Sequence, residues 1–156
     1  IIFGLTLNHT SSSIIRAILE GIALEIRKNI MIMESYVGHI TEVRISGGLT
    51  RSEIFNQIQA DVYGKPVVEI SNEDASSLGA AIIAAVSLGI YKDIESAANL
   101  MLKVNDSTQK NPISLHNRIY DELFKIHSNL YHAIENSEIY HRLNQIKIDY
   151  IKNSLQ

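Results

Sequence analysis

Gly47 and Gly48 stand where a short β-prone run, EVRIS (42–46), hands over to a helix-forming run beginning near Thr50. A bare turn needs one glycine at most. Two in succession leave the backbone open to close approach, and a helix N-terminus just beyond would offer free N–H groups and a partial positive charge. The matching chemistry is binding of an anionic ligand such as a nucleotide phosphate, with a flat base lying where side chains are missing. A tight turn with no ligand is the plainer account of the pair taken alone, since glycines punctuate turns everywhere. The stretch is neither a Walker A loop nor a Rossmann fingerprint, because the Gly-Lys-Ser/Thr ending and the third glycine are both missing. Asp61, further along the same helix after Gln57, lies more than two turns from the glycines and reads as a structural or solvated carboxylate. His9, His116, His127, His132 and His141 share no face with a carboxylate at metal-ligand spacing. No Ser-His-Asp or paired-carboxylate arrangement stands out.

The elements that must position the glycine pair can be read from periodicity. Asn8, His9 and Thr10 are turn and cap residues. From Ser13, Ile14, Ile18, Ile22 and Ile26 recur at helical spacing, with Ile15, Leu19 and Ala23 widening the stripe. So wide an apolar face predicts a helix buried against a sheet and ended by Gly38. Thr50 and Glu53 have the Thr-x-x-Glu form of a capping box for the next helix, in which Ile54, Ile58 and Val62 form one row. That helix stops near Gly64 and Pro66, and VVEI (67–70) is a second strand. Residues Asn72 to Ser76 offer several N-caps for a small-residue helix containing Gly79, Ala80, Ala81, Ala84 and Ala85. Ile94 to Val104 is a short helix, NDSTQKNP a polar loop, and Ile113 to about Ala133 a helix with Ile119, Leu123, Ile126 and Leu130 in register. Tyr120, Tyr131, Tyr140 and Tyr150 read as partly buried amphipathic anchors. The order of helices and strands predicts an α/β architecture.

Composition bounds the classes of function. The chain has 156 residues, 46% hydrophobic and 20% charged, which suits a folded domain with its own core. A net charge of −3 leaves no electrostatic footprint for nucleic acid or an anionic membrane. The absence of cysteine excludes disulfide and thiol chemistry and fits a reducing, cytoplasmic setting. The longest apolar run, Leu78 to Ile90, falls short of the roughly 18 residues that a membrane span needs. Because the chain opens mid-pattern on IIFGLTL, it is expected to be a piece of something longer.

Three segments together resemble one family. GGLTRSEIFNQIQADVYGKPV is similar to the C-terminal-domain motif of the FGGY carbohydrate kinases, in which Gly-Gly-x-x-x-Ser/Asn leads into a helix ending Gln-x-x-Ala-Asp. Gly47, Gly48, Ser52, Gln57, Ala60, Asp61 and Pro66 occupy those places. EDASSLGAAIIAAVSLGIY resembles the family's acidic-residue and Leu-Gly-Ala-Ala helix, and GLTLNHTSSSIIRAILEGIALEIR its long first helix. Ser13 stands where the family usually has His or another larger polar residue, and Leu49 where many members have Gly or Ala. The resemblance implies the actin-like ATPase fold, with ribonuclease-H-like domains and the substrates in the cleft between them. It implies ATP and Mg²⁺ as cofactors, and a sugar as the other partner. Nucleotide contacts are implied at Gly47, Gly48, Leu49 and Ser52, with the small-residue helix packed behind them.

No catalytic residue and no metal ligand is assigned to this chain, since the family's catalytic Asp and most of its sugar contacts lie in an N-terminal domain. Residues 1–135 are expected to form the nucleotide-binding domain and 136–156 a helical tail. The chain alone is expected to be inactive. In the whole enzyme the implied substrate is xylulose, then gluconate or another sugar, with a homodimer left open. A non-kinase regulatory or chaperone-type relative of the same fold, and an α/β interaction module, are the competing classes.

Overall fold

The computed structural model describes residues 1–71 and 74–154. Helix α1 (Ser11–Val37) begins at Thr10, whose hydroxyl accepts the Ser13 N–H while the Ser13 hydroxyl accepts the Thr10 N–H. This reciprocal cap satisfies two donors that a helix start leaves without partners. It also gives Ser13 a local role independent of any ligand. The helix ends at Gly38, whose φ of 82° lies where side chains are disfavoured.

Strand β1 (Val43–Ile45) pairs in parallel with β2 (Val67–Ile70), placing Val43 beside Val67 and Ile45 beside Glu69. Between them run a 3₁₀ turn (Gly48–Arg51) and α2 (Glu53–Tyr63), so this is a β–α–β unit. Lys65, just before β2, donates to Glu34 Oε1 at 2.8 Å and to the Ile40 carbonyl at 2.9 Å, tying the end of α1 to the start of the strand. The hydrogen bond from that ammonium, followed by one from the Ile40 N–H, holds the Glu34 carboxyl below its ordinary pKa.

After β2 come α3 (Ala75–Ser87), capped by Asp74, and α4 (Ile94–Met101), capped by Asp93. Of the expected α3 caps, Asn72 lies outside the described residues. Helix α4 stops at Met101, earlier than expected. The segment read as a polar loop is instead β3 (Val104–Lys110), antiparallel to β2. The sheet order is β1-β2-β3, so β3 is an edge strand hydrogen-bonded on one side only. An edge strand facing water does not need apolar alternation, so its polar sequence hid it. Helices α5 (Ser114–Asn136) and α6 (Ile139–Ser154) complete the chain.

The protein forms two compact units, Ile1–Asn117 and Arg118–Gln156, and all three strands belong to the first. The centre of the first unit is β2 and α2. Val62, Val67 and Val68 are fully buried, and eight of the eleven residues of α2 are buried. Helix α2 touches β2 and β3 as well as α1. The expected burial of α1 against a sheet is therefore corrected: it packs on α2, and its buried residues are Ala23, Leu24 and Ile30. Ile15, Ile18, Ile22 and Ile26 remain exposed. Periodicity identified an apolar stripe but not what covers it. The tyrosines also divide: Tyr120 is buried, whereas Tyr140 and Tyr150 are exposed. Among the described residues, no helix is long and apolar enough to cross a membrane.

Candidate nucleotide pocket

The exit of β1 is shaped by Gly47, at φ 98° and ψ 179°, a backbone region open essentially to glycine alone. Gly48 then starts the 3₁₀ turn. Among the described residues, a Cβ added at either glycine would meet nothing within 4 Å, so no described atom occupies the space immediately in front of them. That space is a pocket of about 330 Å³. Gly47, Gly48, Thr50 and Arg51 form one wall, and Glu69, Ile70 and Ser71, at the C-terminal end of β2, form the other. A crevice beyond the carboxyl ends of adjacent parallel strands is where open α/β sheets receive ligands.

Thr50 is only 8% exposed, and its hydroxyl lies 2.8 Å from the Gly47 carbonyl and 2.7 Å from Glu69 Oε1. Its own carbonyl accepts from the Asn56 side chain at 2.7 Å. The expected Thr50–Glu53 capping box is therefore corrected. The inserted 3₁₀ turn shifts the helix start by two residues, and the N-cap is Ser52, whose hydroxyl accepts the Phe55 N–H at 3.3 Å. The Glu53 carboxylate instead approaches Lys110 Nζ at 3.4 Å. The guanidinium of Arg51, exposed on the pocket wall, makes no ion pair among the described residues.

Of the four residues singled out for the ligand, Gly47 and Gly48 line the pocket together. Leu49 is 56% exposed and outside the lining, and Ser52 is engaged in its cap. Sequence reasoning overlooked Thr50, Arg51, Glu69 and Ser71. Position along the chain held one usable signal for Glu69 and Ser71: both sit at the end of the strand that follows the glycine turn. Helix α3 packs against α4, and none of its residues lines the pocket.

Asp61 belongs to a different constellation. Its Oδ1 accepts the Ile113 N–H at 2.7 Å and the Gln57 amide at 2.9 Å, and its Oδ2 lies 2.8 Å from His116 Nδ1. Gln57 also donates to the Asn111 carbonyl, and Asn117 donates to the Asp61 carbonyl. The structural reading of Asp61 holds: with Gln57 it clasps the first turn of α5 to α2. Among the described residues, no three His, Asp or Glu side chains are grouped to hold a metal ion.

These features define an α/β domain with a glycine turn leading from a parallel strand into a capped helix. Residues 1–88 match the profile of the FGGY family of carbohydrate kinases, C-terminal domain, and the chain belongs to that family, with its actin-like ATPase fold. It is similar to xylulose kinase of Staphylococcus epidermidis, 29% identical over 82% of this chain and 25% of that protein. The solved xylulose kinase of Rhodospirillum rubrum aligns with a TM-score of 0.69 at 28% identity, over 85% of this chain and 27% of that one. Plasmodium falciparum glycerol kinase, solved with ADP, aligns with a TM-score of 0.60 at 25% identity, over 89% of this chain and 27% of that one. The chain thus spans about a quarter of the length of the relatives it matches.

Proposed function

We propose that this chain is the nucleotide-side domain of an ATP-dependent sugar kinase, which transfers the γ-phosphate of ATP to a sugar hydroxyl. The observation that carries this reading is the empty space in front of Gly47 and Gly48, at the carboxyl ends of two parallel strands. The ADP in the glycerol kinase relative supports the same ligand class. In this reading Gly47 and Gly48 border the adenosine and α-phosphate, Leu49 lies over the nucleotide from outside, and Ser52 presents its capped helix end to it. The cation of Arg51 suits the phosphates.

Phosphoryl transfer consists mainly of positioning and charge stabilisation, and it needs a base for the sugar hydroxyl. None of the described pocket residues is placed as that base. We assign the base and most sugar contacts to the remainder of the enzyme, and Mg²⁺ to the phosphates and that remainder, so that this chain alone phosphorylates nothing. The favoured sugar is xylulose, on the strength of the xylulose kinase relatives. Glycerol and gluconate are the competing substrates, and a full-length assay with ATP against a panel of sugars separates them.

The nucleotide assignment has its own test. Gly48→Val in the full-length enzyme should raise KM for ATP at least about tenfold, equivalent to about 1.4 kcal/mol, and leave KM for sugar within about twofold. Equal changes in both constants would falsify the assignment.

A further inference from the structure

Two adjacent glycines make a permissive turn, because each samples more backbone conformations than any other residue. A pocket built on them binds tightly only if another group holds the turn in its bound shape, since ordering it during binding costs affinity. We propose that Glu69 is that group: a positioning residue whose carboxylate, acting through Thr50, locks the glycine turn of the nucleotide pocket. The proposal rests on the nucleotide reading above and deepens it.

Five contacts carry it. Glu69 Oε1 lies 2.7 Å from the Thr50 hydroxyl across 19 positions of chain, linking the end of β2 to the turn after β1. The same hydroxyl reaches the Gly47 carbonyl at 2.8 Å, and the Thr50 N–H donates to that carbonyl at 3.1 Å. One hydroxyl proton thus serves two acceptors on opposite walls of the pocket, from a residue only 8% exposed. The Asn56 amide holds Thr50 from below at 2.7 Å, and Glu69 is held from behind, its N–H donating to Thr108 Oγ1 at 3.2 Å. The last contact falls where the β2–β3 register shifts, between Val67 and Glu69. A carboxylate beside a phosphate pocket opposes its ligand unless it does something else there, and the strut supplies that reason.

The experiment is steady-state kinetics of the full-length enzyme with ATP and its sugar. Glu69→Ala and Thr50→Val should each raise KM for ATP about fivefold, with kcat and KM for sugar within about twofold. Their combination should be no worse than either alone, because both break one connection. Glu69→Gln and Thr50→Ser keep an acceptor and a hydroxyl, and both should restore KM for ATP to near wild type. Should Glu69→Ala fail to fold, Thr50→Val and the two conservative variants decide. An unchanged KM for ATP in Thr50→Val, additive effects, or a Glu69→Gln variant with lower KM for ATP than wild type would each overturn the strut. The last would show that the carboxylate acts by charge alone. If Gly48→Val raises KM for ATP while Thr50→Val does not, the strut fails and the pocket stands. If Gly48→Val has no effect either, both fail.

Discussion

The two ends of α2 are built on opposite principles. At its N-terminal end, the backbone turns through two glycines, the nearest space is unfilled, and the guanidinium of Arg51 has no ion-pair partner among the described residues. At its C-terminal end, Asp61 is 3% exposed and both carboxylate oxygens are engaged by groups from Gln57, Ile113 and His116. The open end leaves polar capacity for a ligand, and the closed end spends its capacity on the protein itself. Both ends carry residues of one family motif, so that motif serves two physical purposes: Gly47 and Gly48 make space, while Gln57 and Asp61 secure the helix that frames it.

The sharpest way to break this contrast is at the closed end. Asp61→Ala would strip partners from the Ile113 N–H and from His116, and should cost about 2–4 kcal/mol in urea unfolding, with faster amide exchange at Ile113. Asp61→Asn retains an acceptor and should lose less. A large rise in KM for ATP with unchanged stability would reverse the roles of the two ends. At the open end the neighbouring glycines should separate. Gly47→Ala forces a side chain to φ 98° and should cost about 1–3 kcal/mol, whereas Gly48→Ala enters free space and should cost less than about 1 kcal/mol. Equal losses would mean that the turn is not held as described.

A pH dependence belongs to the closed end, confined to the alkaline range. Burial pushes the Tyr63 phenol up to about 12, partly offset by the hydrogen bond from Gln59. The folded state therefore keeps the phenolic proton more firmly than the unfolded chain. Stability is full below pH 10 and declines by about 1.4 kcal/mol per pH unit as pH rises from 10 towards 12. Tyr63→Phe should flatten that decline in alkaline unfolding curves, at a neutral-pH cost of about 1 kcal/mol for the lost hydrogen bond. An unchanged slope would place the titrating group elsewhere.

Local chemistry made part of the design legible. The β-branched runs at 43–45 and 67–70, the cap at Thr10 and the breaks at Gly38 and Gly64 each follow from residue type, because strand preference, capping and positive φ are short-range properties. Strand β3 was not legible, because an edge strand lacks the buried face that creates alternation. Nor was the true cap of α2, since a Thr-x-x-Glu pattern cannot reveal that a 3₁₀ turn precedes the helix. The wall containing Glu69 was equally hidden, for nothing near that residue marks Thr50 as its partner.

By itself the sequence determined the alternation of helices and strands around the glycine pair and the residues that mark the family, since these depend on side-chain type and near neighbours. The tertiary structure alone decided that no described atom fills the space at Gly48, that Glu69 meets Thr50, that Asp61 closes on His116, 55 positions further along the chain, and that the isoleucines of α1 stay exposed. The physical reason is range: hydrogen bonds and packing act over a few ångströms of space, and only folding brings distant positions within that distance.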